Sequence, residues 1–228
     1  MRRYKFLRQP KKNMEIRSQH GDFVWEIGKW YHHEAELDMC NAGFHCSKEI
    51  QQAFSYIQGE VLAVVEVKGN KEIQDDKEVY EHMKIVKAYR WTKKDSVALS
   101  IYAAELVIDN FEKEFPNDKR PREAIEAAKK VLEKDTKKNR DAAWSAAESA
   151  ARSAWSAESA AEYARSAGCA AWSARAAGYA ARSAGYAAEY AAEYAAWAAR
   201  AAAWAAGAEI TKKIEKWMKN RINELEEI

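Results

Sequence analysis

The chain has 228 residues, enough for one or two domains with a sizeable core. Its 37 Lys and Arg against 35 Asp and Glu leave a net charge of +2, which excludes a strongly basic nucleic-acid coat and an acidic tail protein. A hydrophobic content of 48 % excludes a disordered chain, and three Cys do not make a disulfide scaffold and fit a reducing cytosol.

The start carries Arg2, Arg3, Lys5, Arg8, Lys11 and Lys12 with no acid and no apolar run of signal-peptide length behind it, so no targeting segment is expected. Charges of this kind suit an exposed edge strand, and phosphate binding is the secondary reading. Phe23, Trp25 and Ile27 alternate with Val24, Glu26 and Gly28, the period of a strand. Ser47 is placed to cap a short helix in which Ile50, Ala53, Phe54 and Ile57 share a face. The β-branched run Val61–Val67 predicts a central strand ended by Gly69-Asn70, and Met83, Ile85, Tyr89 and Trp91 mark one face of a further strand.

Helical spacing resumes at Asp95-Ser96. Val97, Ile101, Ile108, Phe111 and Phe115 form one stripe, and Leu99, Tyr102 and Leu106 a second, which predicts one helix buried on two sides and stopped by Pro116. Pro121 opens the next helix, where its missing N–H costs nothing, with Ile125, Ala128 and Leu132 inward and Glu126 and Lys130 paired. The tail, 208–228, reads as a charged amphipathic helix with Ile210, Ile214, Trp217, Met218, Ile222, Leu225 and Ile228 on its stripe.

Residues 141–206 are half alanine, 33 of 66. Ala143, Ala147, Ala150, Ala154, Ala157, Ala161, Ala164, Gly168 and Ala171 step four, three, four, three. After one short step the rhythm resumes at Ala174, Gly178, Ala181, Gly185, Ala188, Ala192, Ala195, Ala199, Ala202 and Ala206. A 3.5-residue period is that of a helix seam facing another helix, and Ala and Gly let the backbones come close. As one rod the stretch would run about 100 Å, so breaks are expected near Gly168 and near Gly185 or Gly207. Beside the seam, Trp172, Tyr179 and Tyr186 recur every seven residues, as do Tyr190, Trp197 and Trp204, with the serines as partners for their polar atoms. The fold class is therefore α+β: a small antiparallel or mixed sheet with one helix over 1–92, then an Ala-rich multi-helix bundle over 93–228. The interrupting arginines leave no membrane span.

Two resemblances follow from particular residues. Phe111 to Ala128, reading FEKEFPNDKRPREAIEAA, resembles the entry to an immunity-protein domain of the Imm-5-like family: a helix ending in an acidic turn, an R-P-R-E-A-I-E-A helix, then an Ala-rich array. Cys40-Asn41-Ala42-Gly43-Phe44-His45-Cys46, with Glu26–Tyr31 before it and Val65–Gly69 after it, resembles a phage-associated domain of unknown function built around a C-x-x-G-[FL]-H-x-C/S turn. The resemblances imply a phage or mobile-element protein of immunity or anti-defence type, acting on a bacterial protein partner in the host cytoplasm.

The chemistry on offer is sparse. His32, Cys40, His45 and Cys46 could supply metal ligands, but the spacing is poor, and no cofactor is expected. Cys46, beside His45 at a helix start, could be an activated thiolate; no third residue orients the pair, and a structural turn is the alternative. The aromatic series either fills the core or forms a face whose anchors are Trp155, Tyr163, Arg165, Trp172, Arg175, Tyr179, Arg182 and Tyr186. That face would bind a protein or, between helices, a nucleotide whose phosphates meet the arginines. Pairing with a second copy stays open, and nucleic acid is not expected. The leading expectation is a non-enzymatic binding protein that occludes its partner; a nucleotide-sequestering protein and an enzyme using His45 and Cys46 are the alternatives.

Overall fold

The computed structural model describes residues 1–9, 15–20, 23–160, 165–186 and 188–228. Two compact units divide the chain: Met1–Trp91 together with Trp217–Ile228, and Thr92–Lys216.

The first unit contains strands β1 (Arg2–Leu7), β2 (Ile16–Arg17), β3 (Val24–Trp25), β4 (Trp30–His32) and β5 (Phe44–Cys46), helix α1 (Ile50–Tyr56), and the long strands β6 (Val61–Ile73) and β7 (Glu78–Arg90). The antiparallel sheet has the order β1-β6-β7-β4, β5 also pairs with β7, and β2 and β3 form a separate ribbon. Leu7, Val61, Ala63, Val65, Met83, Ile85 and Ala88 make its core. Tyr4 and Ser47 exchange two backbone hydrogen bonds of 2.9 Å, so the outer side of β1 is not left bare. Helix α1 starts only at Ile50, so Glu49 and not Ser47 holds the cap position, through a reciprocal pair with Gln52.

Two bulges explain where the strand pattern misleads. Gly69 does not end β6. With φ +85° it takes up an irregularity between Lys68 and Lys71, and the strand runs on to Ile73. On β7 the pairing jumps from Val64↔Lys87 to Val65↔Ile85, which leaves Val86 unpaired. The alternation flips there: Met83, Ile85 and Ala88 are buried, and Tyr89 leaves that face.

The second unit opens with α2 (Lys93–Glu105), whose Thr92 cap is closed by Asp95; the Thr92 N–H donates to Asp95 Oδ2 over 2.8 Å. The single helix expected as far as Phe115 is two, since α3 (Ile108–Glu114) starts after a break at Leu106–Val107 that lets Val107, Ile108 and Phe111 all bury. In α4 (Arg120–Glu133) Pro121 lies in the first turn, Val131 rather than Leu132 completes the buried stripe, and Lys129 rather than Lys130 pairs with Glu126.

The alanine region forms α5 (Lys137–Ala160), α6 (Arg165–Gly185) and α7 (Ala188–Ala206). α6 is the middle rod, touching α5 on one side, α7 on the other, and α2, α3 and α4 besides. On α5 the seam is as the rhythm predicts: Ala143, Ala147, Ala150, Ala154 and Ala157 are all buried. Ala161 and Ala164 lie outside the described residues. A middle rod needs more than one seam, and Ala170, Ala174, Ala176, Ala177, Ala180, Ala181 and Ala184 are buried together. The helices part at Gly185 and at Gly207, whose φ is +79°, whereas Gly168 falls inside α6.

The last helix, α8 (Ala208–Arg221), buries Ile210, Ile214 and Met218 and gives way to a 3₁₀ turn, Ile222–Glu224. The tail is therefore not helical to residue 228. Its final residues extend along β7: the Arg90 N–H donates to Glu226 O (2.9 Å) and the Ile228 N–H to Ala88 O (3.0 Å). This pairing is why residues 217–228 group with the sheet, although the sequence assigns all of 93–228 to the bundle.

Candidate functional site

The large rings of the alanine region do not fill its core. Small side chains do that, and the rings stand where the closely packed rods leave their grooves. Trp155 is 73 % exposed, Trp204 57 % and Tyr190 48 %, while Trp172, Tyr179 and Tyr186 are half-buried. The two seven-residue series meet across α6 and α7. Trp172 packs edge-on against Trp204 (centroids 4.3 Å apart), Tyr179 against Trp197 (5.5 Å), and Tyr186 tilts on Tyr190 (5.5 Å). The residue numbers of the three pairs rise on one helix as they fall on the other, the signature of antiparallel rods. Four of the serines are engaged by the backbone and not by the rings. Ser156, Ser159, Ser173 and Ser183 donate to the backbone carbonyls of Arg152, Trp155, Cys169 and Ala191.

Three arginines lie among the rings. The Arg175 guanidinium is 4.9 Å from the centre of Trp172 and pairs with Glu158. Arg182 lies 5.8 Å from Tyr194 and Arg200 5.7 Å from Trp204, and among the described residues neither has a carboxylate partner. Two shallow clefts flank the ridge made by Arg175 and Tyr179. One, of about 280 Å³, is lined by Ala147, Ala151, Ala154, Trp155, Gly178 and Arg182; the other, of about 300 Å³, by Trp172, Trp197, Arg200, Ala201 and Trp204.

Of the residues singled out from sequence, Trp155, Trp172, Arg175, Tyr179, Arg182 and Tyr186 fall on this one face. Tyr163 lies outside the described residues, and of Arg165 only its place at the start of α6 is described. Trp197, Arg200 and Trp204 were missing from that set. The signal for them was available: two heptad series joined by a glycine-bearing turn must face each other once the chain reverses.

The Cys40–Cys46 segment is a structural turn. Gly43 has φ +106°, and a Cβ there would lie 2.5 Å from Val79 Cγ2. The Cys40 N–H donates to His45 Nε2 over 2.8 Å, and Lys77 Nζ reaches Cys40 Sγ at 2.7 Å. His45 Nε2 is thus committed as an acceptor, and burial, then the nearby Lys5 charge, holds its pKa below the ordinary value. Cys46 is on β5, not at a helix start, and burial pushes its thiol up to about 12, which opposes thiolate chemistry. His32, Cys40, His45 and Cys46 do not come together as one ligand group among the described residues.

Two cations of the basic start, Arg3 and Lys5, are turned inward, while Arg2 is exposed. The buried Arg3 makes a two-pronged ion pair with Glu78, to which the Tyr80 hydroxyl also donates at 2.9 Å. Burial alone would raise the Glu78 carboxyl, and these hydrogen bonds more than reverse it. Lys5 donates to His45 O at 2.7 Å, and desolvation pulls its ammonium down to about 8. Lys11 and Lys12 lie outside the described residues.

No helix among the described residues is long and apolar enough to cross a membrane. A family model described as immunity protein Imm5 matches residues 77–204, and one described as a domain of unknown function, DUF7666, matches residues 3–94. No curated protein and no solved structure matches the chain significantly.

Proposed function

Because the chain belongs to the Imm5 family of immunity proteins, we propose that it acts by binding and occluding a bacterial effector or defence protein through the aromatic and arginine face of α5, α6 and α7. The supporting observation is that this face is ring-rich and open while the interior beneath it is filled by alanine. Trp, Tyr and Arg are the side chains that anchor protein interfaces, and a stable contact needs about 800 Å² on each partner. Arg182 and Arg200 favour a partner that brings carboxylates to the rim. A phage or mobile-element origin and a site of action in the bacterial cytoplasm belong to the same proposal.

A photo-crosslinking residue at 155 or at 204, expressed in bacteria, should capture one and the same protein. Replacing both tryptophans by alanine should then weaken the purified complex by two orders of magnitude or more. Different captures at the two positions, or an unchanged affinity, would overturn the proposal.

The two clefts support a second reading, the sequestering of a nucleotide with its base on Trp155 or Trp204 and its phosphates on arginine. At about 280–300 Å³ each lies at the small end of ligand pockets. Under this reading a nucleotide at 100 times its dissociation constant stabilises the protein by about 2.7 kcal/mol in a thermal-shift screen.

A further inference from the structure

We propose that His32, Glu81 and His82, on strands β4 and β7 of the sheet unit, form a binding site for a divalent transition metal, with zinc as its probe. This goes beyond the reading of the helical face and is independent of it.

The topology creates the site. His32 and His82 are direct partners in the β4–β7 pairing, so both project from one side of the sheet. Their rings lie 4.4 Å apart, edge to face. Glu81 Oε1 is 3.6 Å from His32 Nε2, and Glu81 Oε2 is 3.9 Å from His82 Nδ1. The donor atoms of all three lie within 4.8 Å of one another. Neither 3.6 nor 3.9 Å is a hydrogen bond. Both approach the roughly 3.3 Å that separates ligands around a tetrahedral zinc at about 2.0–2.1 Å.

Three details distinguish this trio from an incidental surface cluster. His82 Nδ1 is buried and has no hydrogen-bond partner, although it lies against a carboxylate. In the tautomer that leaves the lone pair on Nδ1, two acceptors face each other with nothing between them, and a metal ion satisfies both. Second, the Asn70 N–H donates to Glu81 Oε2 at 2.9 Å and so fixes the carboxylate from behind, as outer-sphere groups do for metal ligands. Third, the β6 bulge puts a glycine where a side chain would close the space. A Cβ on Gly69 would lie 2.6 Å from Glu81 Oε2 and 2.8 Å from His82 Nδ1.

The nearby cations are drawn aside. Lys68, which stands opposite His82 in the β6–β7 register, extends over the Trp30 ring at 4.4 Å, and Lys84 is held by Glu66 at 2.8 Å. Two imidazoles and a carboxylate suit zinc and its first-row neighbours. Three protein donors leave a coordination position for water or for a donor from a bound protein.

The test is calorimetric titration of the full chain, stripped with EDTA and dialysed, with ZnCl₂ at pH 7.5. One equivalent should bind. His32→Ala and His82→Ala should each weaken binding 100-fold or more, and the paired change Cys40→Ala with His45→Ala should leave it unchanged. Should the alanine variants lose structure, Co²⁺ added to the unaltered chain locates the ion instead, broadening the imidazole NMR signals of His32 and His82 and not those of His20 or His45. No binding at pH 7.5, binding that survives both histidine changes, or broadening centred on His45 would overturn the proposal.

Discussion

The Tyr186 ring lies flat on the Tyr194 ring, with centroids 4.9 Å apart and planes 6° from parallel. Trp144 meets Tyr186 edge-on at 4.7 Å, and hydrogen bonding to Tyr194 raises the Tyr186 hydroxyl pKa. Rings at this end of the face therefore satisfy one another. Around residues 172–175 the balance differs, and Trp155 and Trp204 stay mostly exposed. Tyr194→Ala should cost the protein about 1 kcal/mol, the worth of an aromatic pair. Trp155→Ala should change stability by less than about 0.5 kcal/mol and remove about 2 kcal/mol or more of partner binding. Urea unfolding of both variants, set beside their affinities, checks the separation.

The alanine seam has a sharp size limit on α5 and some slack on α6. A Cβ at Gly178 would meet Ala147 O at 3.5 Å and Ala150 Cβ at 3.6 Å, ordinary contacts. Gly178→Ala should therefore stabilise the helical unit by about 0.5–1 kcal/mol through helix propensity. Ala147→Leu adds bulk between rods that already touch and should destabilise by about 1–3 kcal/mol. Chemical denaturation measures both, and a neutral Ala147→Leu would contradict the tight seam.

Asp118 ties the turn before α4 to α5. Its carboxylate takes a two-pronged contact from Arg120, a bond from the Arg120 N–H (3.1 Å) and one from the Ser153 hydroxyl (2.8 Å). Chiefly through Arg120, the carboxyl is held down at about 2 rather than 3.8. A depressed acid binds its proton more readily in the unfolded chain, so its stabilisation is present above about pH 4 and is lost as pH falls through about 2. The amount is about 2 kcal/mol. Asp118→Asn should remove it at neutral pH and flatten the acid limb of the stability profile over that window.

The cysteines should separate by reactivity. Cys40 is exposed, while Cys46 is buried with its thiol pushed up to about 12. Iodoacetamide at pH 8 should label Cys40 in the folded protein and leave Cys46 untouched until denaturant is added. Peptide mass mapping reads the order, and early labelling of Cys46 would reopen the thiolate reading.

The α+β order of elements, the small-residue rhythm and the breaks at Gly185 and Gly207 were legible because each is local. Period, β-branching and glycine act within a few residues. What sequence hid was set by pairing at a distance. The Val86 bulge shows only once β6 is laid beside β7. Ser47 looked like a cap, but it pairs with Tyr4 beside the sheet and the helix starts only at Ile50, with Glu49 as cap. For the rings, spacing identified the stripe yet could not say which side of it was wet, because a 3.5-residue seam of alanine sets the groove, not its occupant. His82 drew no attention as a lone histidine on a strand; its partner His32 is 50 positions away and joins it only through register.

The closing stretch of the chain has a consequence for biogenesis. The carbonyl of Ala88 and the amide of Arg90 take their partners from Ile228 and Glu226. Residues 88 and 90 are synthesised well before residues 226 and 228, so during synthesis these two backbone groups have no partner from the tail until every helix that follows has been made. Completion of this border therefore waits for residues 226–228, and a polypeptide halted before residue 217 would carry it unfinished, open to any passing strand.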